Sequence, residues 1–243
     1  MHILTHEEGE VRYLHYGVFE HENDALLTAQ ERSTELLLAR LPPPPARLLE
    51  VGIGLGTTLR RLLSLGYEAE GITPDEHQIR MAGPLPVSCS PFETFDPGRT
   101  YDAIVFQESA QYIHPQSLFA RAAVLAPRVV VLDEFALEPV DGLHPRDEFL
   151  AAAAQHGFTV TEEVDLSRQA APTMNYFTDR IPAYRERLIA DLGLTGQQVD
   201  ELVVSGAKYR ERYANGIYGY RLFSLLGKED PCSGMPSSSP LSP

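Results

Sequence analysis

At 243 residues, with 43 % hydrophobic and 22 % charged residues, the chain can bury one α/β core with a modest insertion. Asp and Glu outnumber Lys and Arg by 34 to 20, a net charge of −14 with no basic cluster, so nucleic acid and anionic membrane surfaces are not expected partners and a small-molecule substrate is. No apolar run approaches the ~20 residues that cross a bilayer. His2, His6, Glu7 and Glu8 do not read as a signal sequence, and Cys89 and Cys232 form no CxxC pair, so a reducing, cytoplasmic setting without membrane insertion is expected.

Residues 1–22 hold an aromatic cluster, Tyr13, His15, Tyr16 and Phe19, around Gly17. A helix is predicted from a cap at Asn23 or Asp24 through Leu38, stopped by the polyproline run Pro42–Pro45. Strands are predicted at Arg47–Val51, Tyr67–Ile72, around Val87–Cys89, at Tyr101–Phe106, Arg128–Leu132 and Phe158–Val164. Helices fall between them, at Leu59–Leu65, Asp75–Met81, Pro115–Leu125 and Pro145–His156. Strand–helix alternation at this spacing argues for a parallel, doubly wound sheet. From Leu166 to Asn215 the alternation stops, and a loop plus two helices, Ile181–Leu192 and Gln197–Tyr213, reads as a cap before a last strand at Tyr218–Leu226. The expected organisation is a covering segment over 1–22, a core over 23–165, a cap over 166–215, the last strand over 216–227 and a disordered tail over 228–243.

The densest chemical signal is Glu50-Val51-Gly52-Ile53-Gly54-Leu55-Gly56-Thr57, between a predicted strand and a predicted helix. Glycines there permit positive φ and let a ligand lie against the backbone, and the helix start turns free N–H groups toward it. The dinucleotide fingerprint places its third glycine three residues after the second; here the spacing is G-x-G-x-G behind an acid. Without a ligand, the same residues would form only a glycine-rich turn.

This segment resembles motif I of the class I S-adenosylmethionine (SAM)-dependent methyltransferases, and the likeness extends from about Tyr13 to Leu226, weakening in the insertion. It implies an α/β, doubly wound, seven-stranded Rossmann-like sheet with the last strand antiparallel, a helical cap before that strand, and SAM as cofactor. Glu50 would hold the cofactor's ammonium, and Gly52, Gly54, Gly56 and Thr57 would face its methionine part. Most of the class has an acid where Thr73 stands. Gly71-Ile72-Thr73-Pro74-Asp75-Glu76-His77-Gln78 instead is similar to a subgroup containing cyclopropane-fatty-acid synthases and tocopherol- and sterol-type C-methyltransferases. In that subgroup the Gln binds ribose, so Thr73 and Gln78 are cofactor candidates, and Asp75 either replaces the missing acid or merely caps a helix.

Tyr101–Ile113 resembles the subgroup's motif IV. The likeness puts Gln107 on the cofactor side and Glu108 at the cofactor–acceptor boundary, where a carboxylate could orient an acceptor, take its proton or stabilise a developing cation. A solvated loop acid is the plainer alternative for Glu108. Tyr112 takes the place of a frequent His and is the second catalytic candidate. Asp133-Glu134 ends the most apolar strand and reads as solvated rim acids, with metal or amine ligation as the alternative; no His lies at ligand spacing, and no metal is expected. Tyr16 would touch the methionine carboxylate, or only staple the first helix; Phe92 would pack adenine, or only the core. In the cap, Tyr176, Phe177, Tyr184, Tyr209 and Tyr213 offer aromatic surface to an acceptor or form the cap's own core; Tyr176, Phe177, Tyr184 and Tyr213 are the acceptor candidates.

The function these residues imply is SAM-dependent methylation of a small acceptor, a natural-product or lipid-like metabolite, at carbon or nitrogen rather than oxygen. A homodimer is compatible with the sequence. A nicotinamide-dependent oxidoreductase on the same kind of sheet is the rival enzyme, disfavoured by the glycine spacing and by Thr73. A catalytically silent interaction domain is the rival outside enzymology, disfavoured by the intact loop and Gln78.

Overall fold

The computed structural model describes residues 11–21 and 23–227. The expected disordered tail, Cys232 and the first ten residues of the covering segment lie outside them. Seven strands form one sheet in the order β3-β2-β1-β4-β5-β7-β6: β1 (Arg47–Val51), β2 (Glu68–Thr73), β3 (Val87–Cys89), β4 (Ala103–Gln107), β5 (Arg128–Ala136), β6 (Phe158–Asp165) and β7 (Tyr218–Gly227). Strand β7 runs antiparallel to both β5 and β6, and the other pairings are parallel, as the resemblance implies.

The strands are apolar on both faces because helices cover both. Along β5 the side chains alternate: Val129, Val131 and Phe135 join Phe119, Phe149 and Phe223 on one face. Val130, Leu132 and Ala136 face the other way, toward Leu37, Met174 and Tyr220. Helices α1 (Leu26–Leu38), α2 (Thr57–Ser64), α3 (Glu76–Ala82), α4 (Pro115–Leu125) and α5 (Arg146–Gln155) fall close to their predicted places. Neither Asn23 nor Asp24 caps α1: the residue before it is Ala25, with no side-chain cap, while Asp24 Oδ2 accepts from the Glu20 and His21 N–H groups and pairs with Arg32.

The insertion departs most from expectation. It contains three helices, α6 (Ser167–Ala183), α7 (Arg185–Leu192) and α8 (Gly196–Ala214), and the predicted loop is helix although α6 contains Pro172 and Pro182. Asp165 Oδ1 accepts from the Ser167 N–H at 2.9 Å and from its hydroxyl at 2.5 Å, securing the helix start. Ala170 and Met174 are then buried with Tyr213 and Tyr220, and that burial outweighs the hydrogen bond each proline deletes.

Before α1 the chain runs as a strap. The Val18 N–H donates to Ala29 O, the Gly17 N–H to Thr173 Oγ1 and the Phe19 N–H to Gln169 O, so the strap is held between α1 and α6. A Cβ on Gly17 would stand 2.6 Å from that of Ala29. Gly17→Ala is therefore expected to lower unfolding free energy by about 1–3 kcal/mol, read from urea denaturation; an unchanged midpoint would show that the strap is not tightly seated.

Candidate active site

The order of β2, β1 and β4 makes the strand-reversal point of the sheet, and the loops leaving their carboxyl ends enclose a cavity of about 480 Å³. Gly52, Gly54 and Gly56 all have positive φ, 77°, 53° and 72°. Each has its own reason to be glycine. A Cβ on Gly52 would lie 2.5 Å from Ser109 Cβ, and one on Gly56 2.6 Å from Leu85 Cδ1; one on Gly54 would meet only Leu14 Cδ1 at 3.8 Å, at the cavity wall. Gly54 is where the backbone itself is offered to a ligand.

Behind the loop, Glu50 is 3 % exposed and its Oε2 has no hydrogen-bond partner. It lines a small recess continuous with the glycine loop, with Arg12, His15, Thr57 and Gln107 around it. Loss of hydration alone pushes its pKa up to about 8. A buried carboxylate oxygen without a donor beside an open recess is a place for a cationic or N–H group of a ligand.

Thr73, Asp75, Gln78 and Phe92 line the opposite part of the main cavity. Thr73 Oγ1 donates to Gln78 Oε1 at 2.9 Å, which leaves the amide NH₂ of Gln78 as the donor end. Asp75 caps α3 by accepting from the His77 N–H at 2.7 Å, and it also stands on the cavity wall. Phe92 packs edge-on against Phe106 at 5.2 Å, in the core, and also borders the cavity.

Gln107 and Thr57 are tied down by the protein itself. Thr58 donates to Gln107 Oε1 at 2.9 Å, and Gln107 Nε2 donates to Thr34 Oγ1 at 3.2 Å. Thr34 in turn meets His15 Nε2 at 3.2 Å, and His15 Nδ1 meets the Tyr16 carbonyl at 2.9 Å. That carbonyl can only accept, so Nδ1 carries the proton and Nε2 accepts. Burial takes the His15 pKa down to about 4, so the ring is neutral. The Thr57 hydroxyl donates to Arg12 O, holding the strap onto the loop.

Glu108 follows β4 with φ of 55°, the one non-glycine with positive φ among the described residues. It is half-buried on the cavity wall and tied to the protein. Its Oε1 accepts from the Tyr16 N–H at 2.5 Å and the Tyr220 hydroxyl at 2.7 Å. Desolvation first, then the charge of Glu134, hold its pKa well above the ordinary carboxylate range. Asp133 and Glu134 correct the expectation of rim acids, being 0 % and 5 % exposed. Glu134 accepts from Tyr209 at 2.9 Å and Tyr213 at 2.5 Å, and the Tyr16 hydroxyl also bonds to it. Asp133 accepts from the N–H groups of Gln111 at 3.1 Å and Glu134 at 2.8 Å, and burial raises its pKa to about 7. Burial and the neighbouring acids push the Tyr16, Tyr209, Tyr213 and Tyr220 hydroxyls far above their usual range, so they remain donors.

Several candidates lie elsewhere. Tyr112 borders the cavity but is 81 % exposed, so it is a rim residue without the enclosure a proton-transfer group needs. None of residues 166–215 lines the cavity among the described residues. Tyr176 and Phe177 pack on each other and on Phe19 and Leu26, and Tyr184 packs with Leu188 and Val199 inside the cap. Tyr213 supports Glu134 and does not border the cavity. Tyr16 meets the acids Glu108 and Glu134 and does not line the cavity, where a methionine carboxylate was expected. Tyr220 carries no local signal of a role here: it reaches Glu108 only because antiparallel register places it opposite Glu134.

The sequence matches no protein-family model and no curated protein. Its structure matches many solved ones. A cyclopropane synthase from Mycobacterium tuberculosis superposes with a TM-score of 0.77 at 20 % identity, over 88 % of this chain and 90 % of that one. The cyclase SpnF gives 0.78 at 20 % identity, over 93 % and 92 %. A geranyl diphosphate C-methyltransferase from Streptomyces coelicolor A3(2) gives 0.65 at 17 % identity, over 89 % and 92 %. The chain therefore has the class I SAM-dependent methyltransferase fold, of the kind found in cyclopropane synthases and C-methyltransferases.

The unpartnered acid makes a pH prediction for the ligand-free protein. The Glu50 pKa is raised on folding, so its contribution to stability is full below the ordinary value of 4.5 and is lost as pH rises through about 8. Glu50→Gln removes that loss. The variant should gain in melting temperature over wild type between pH 5 and pH 8.5, by several degrees at the upper end; a pH-independent difference would show that Glu50 is not desolvated as described.

Proposed function

We propose that the chain is a SAM-dependent methyltransferase acting on a small-molecule acceptor. The observation that carries the reading is the glycine loop with Glu50: three positive-φ glycines, Gly54 open to the cavity, and a buried carboxylate oxygen with no donor of its own. These residues fit the cofactor. Glu50 would hold its ammonium, the loop backbone at Gly54 its methionine part, the Gln78 amide its ribose, and Phe92 its adenine. Asp75 stands where it can add the acid that Thr73 does not supply. Neighbours of the same fold were solved with S-adenosyl-L-homocysteine or SAM, which supports the same choice of cofactor here.

The bound cofactor would supply a methyl group already activated by the sulfonium, so the protein's task is alignment, exclusion of water and management of one proton. Glu108 stands on the cavity wall with its Oε1 fixed by two donors from different elements, which orients the carboxyl without solvent. Burial raises its proton affinity, the direction that suits a proton acceptor. The acceptor reading remains that of a natural-product or lipid-like metabolite, methylated at carbon or nitrogen, handled in the cytoplasm. The cavity residues Leu14, Gln111, Tyr112 and Ile113 replace the cap aromatics as its contacts in this proposal.

Titration calorimetry with SAM and, separately, NAD tests the reading: micromolar SAM binding supports it, and NAD binding in its place overturns it. Gly54→Val puts a branched side chain at positive φ against the cavity and should weaken SAM roughly tenfold to a hundredfold with the circular dichroism spectrum unchanged; unaltered affinity would remove the loop from the site. Glu108→Gln should slow turnover roughly a hundredfold or more while SAM affinity stays near wild type, and full activity would exclude a proton-transfer role.

A further inference from the structure

The chemistry of the cavity wall narrows the acceptor further. The charged side chains that line it are the acids Asp75, Glu93 and Glu108; no Lys or Arg is among its described lining residues, and His15 is neutral. Arg12 borders the adjoining recess at Glu50, on the cofactor side of this reading. Behind the wall, Asp133 and Glu134 add two buried carboxyl groups, and among the described residues no ion pair reaches Glu108, Asp133 or Glu134. Their partners are tyrosine hydroxyls and backbone N–H groups, which satisfy lone pairs but carry no positive charge. With Phe92 assigned to adenine, Tyr112 adds aromatic surface beside Glu108 in the same cavity.

An anionic acceptor, a phosphate, diphosphate or carboxylate, would push the proton affinity of these acids higher still and finds no Lys or Arg among the described lining residues to receive it. A cationic group at Glu108 instead stabilises its carboxylate form and meets the Tyr112 ring. Building on the methyltransferase reading, we infer that the acceptor is an amine, bound as its ammonium form beside Glu108. The proton then has a destination. The ammonium nitrogen gives one proton to the Glu108 carboxylate, and the freed lone pair forms the N–CH₃ bond as the S–CH₃ bond breaks. The product is an N-methylated ammonium with S-adenosylhomocysteine, and Glu108 returns its proton to water. The strained backbone of Glu108 and its two fixed donors keep the carboxyl at the wall throughout.

A competing use for these acids is to meet the positive charge of SAM itself, and matched probes separate the two. With protein saturated by S-adenosylhomocysteine, which carries no sulfonium, calorimetry would compare choline, its uncharged carbon isostere, and the carboxylate of the same shape. The expected result is choline at least about tenfold tighter than the isostere, with the carboxylate weakest, and that preference lost in Glu108→Gln. Equal affinity for choline and the isostere, tighter binding of the carboxylate, or no detectable binding of any of the three would overturn the amine assignment. The wild-type comparison decides this even where the variant fails to fold. Failure of S-adenosylhomocysteine to bind at all would overturn the cofactor reading first, whereas its binding without charge preference would overturn the amine assignment alone.

Discussion

Glu108 stands half-buried on the cavity wall, and the chain around it is arranged to fix one of its carboxylate oxygens. One donor is the backbone of the N-terminal strap at Tyr16, and the other is the Tyr220 hydroxyl from the antiparallel strand β7. Tyr16 stacks on Tyr220 at 5.7 Å and bonds through its own hydroxyl to Glu134 on β5, which α8 holds through Tyr209 and Tyr213. Strap, central strands, last strand and cap thus converge on the half-buried Glu108 and the buried Glu134. Leaving Glu134 without its donors would carry the penalty of an unsatisfied buried carboxyl.

The same constraint explains the cap's place. Its helices pack on β7 and hold the far side of the acid network, so their influence on chemistry runs through Glu134 and not through direct contact with the cavity. The cavity belongs to the loops after β1, β2, β3 and β4, where a doubly wound sheet offers backbone N–H groups and open glycines. A fold shared with synthases, a cyclase and methyltransferases does not choose an acceptor. The choice has to be read from which charges line the enclosure.

Much of the glycine-loop side of the cavity was legible in the sequence because its signals are local. Glu50 to Gly56 is a strand end, a turn and a helix start in consecutive residues, and Thr73 and Gln78 sit five apart on one strand–helix junction, close enough to bond. The alternation of strands and helices likewise fixed the sheet's composition, and Pro115–Leu125 fell where its N1 proline put it. The surroundings of Glu108 depended on pairings far apart in the chain. That Asp133 and Glu134 are buried follows from β7 and α8 closing over them, and Tyr220 meets Glu108 across 112 residues. Helix α6 was hidden by its two prolines, whose local penalty is outweighed only by burial against β7 and α8. Tyr176, Phe177 and Tyr184 show the limit of reading aromatics as a binding surface: the first two pack onto Phe19 and Leu26 of the strap and α1, and Tyr184 joins the cap's own core.

The central claim is that Glu50 and the glycine loop form a SAM site, and a crystal structure with S-adenosyl-L-homocysteine tests it most directly. The expected result is the amino group of the ligand on Glu50 Oε2, its methionine part along Gly54, its ribose at Gln78 and its adenine against Phe92. Density for the ligand elsewhere, or a Glu50 carboxyl still without a partner in the complex, would contradict it.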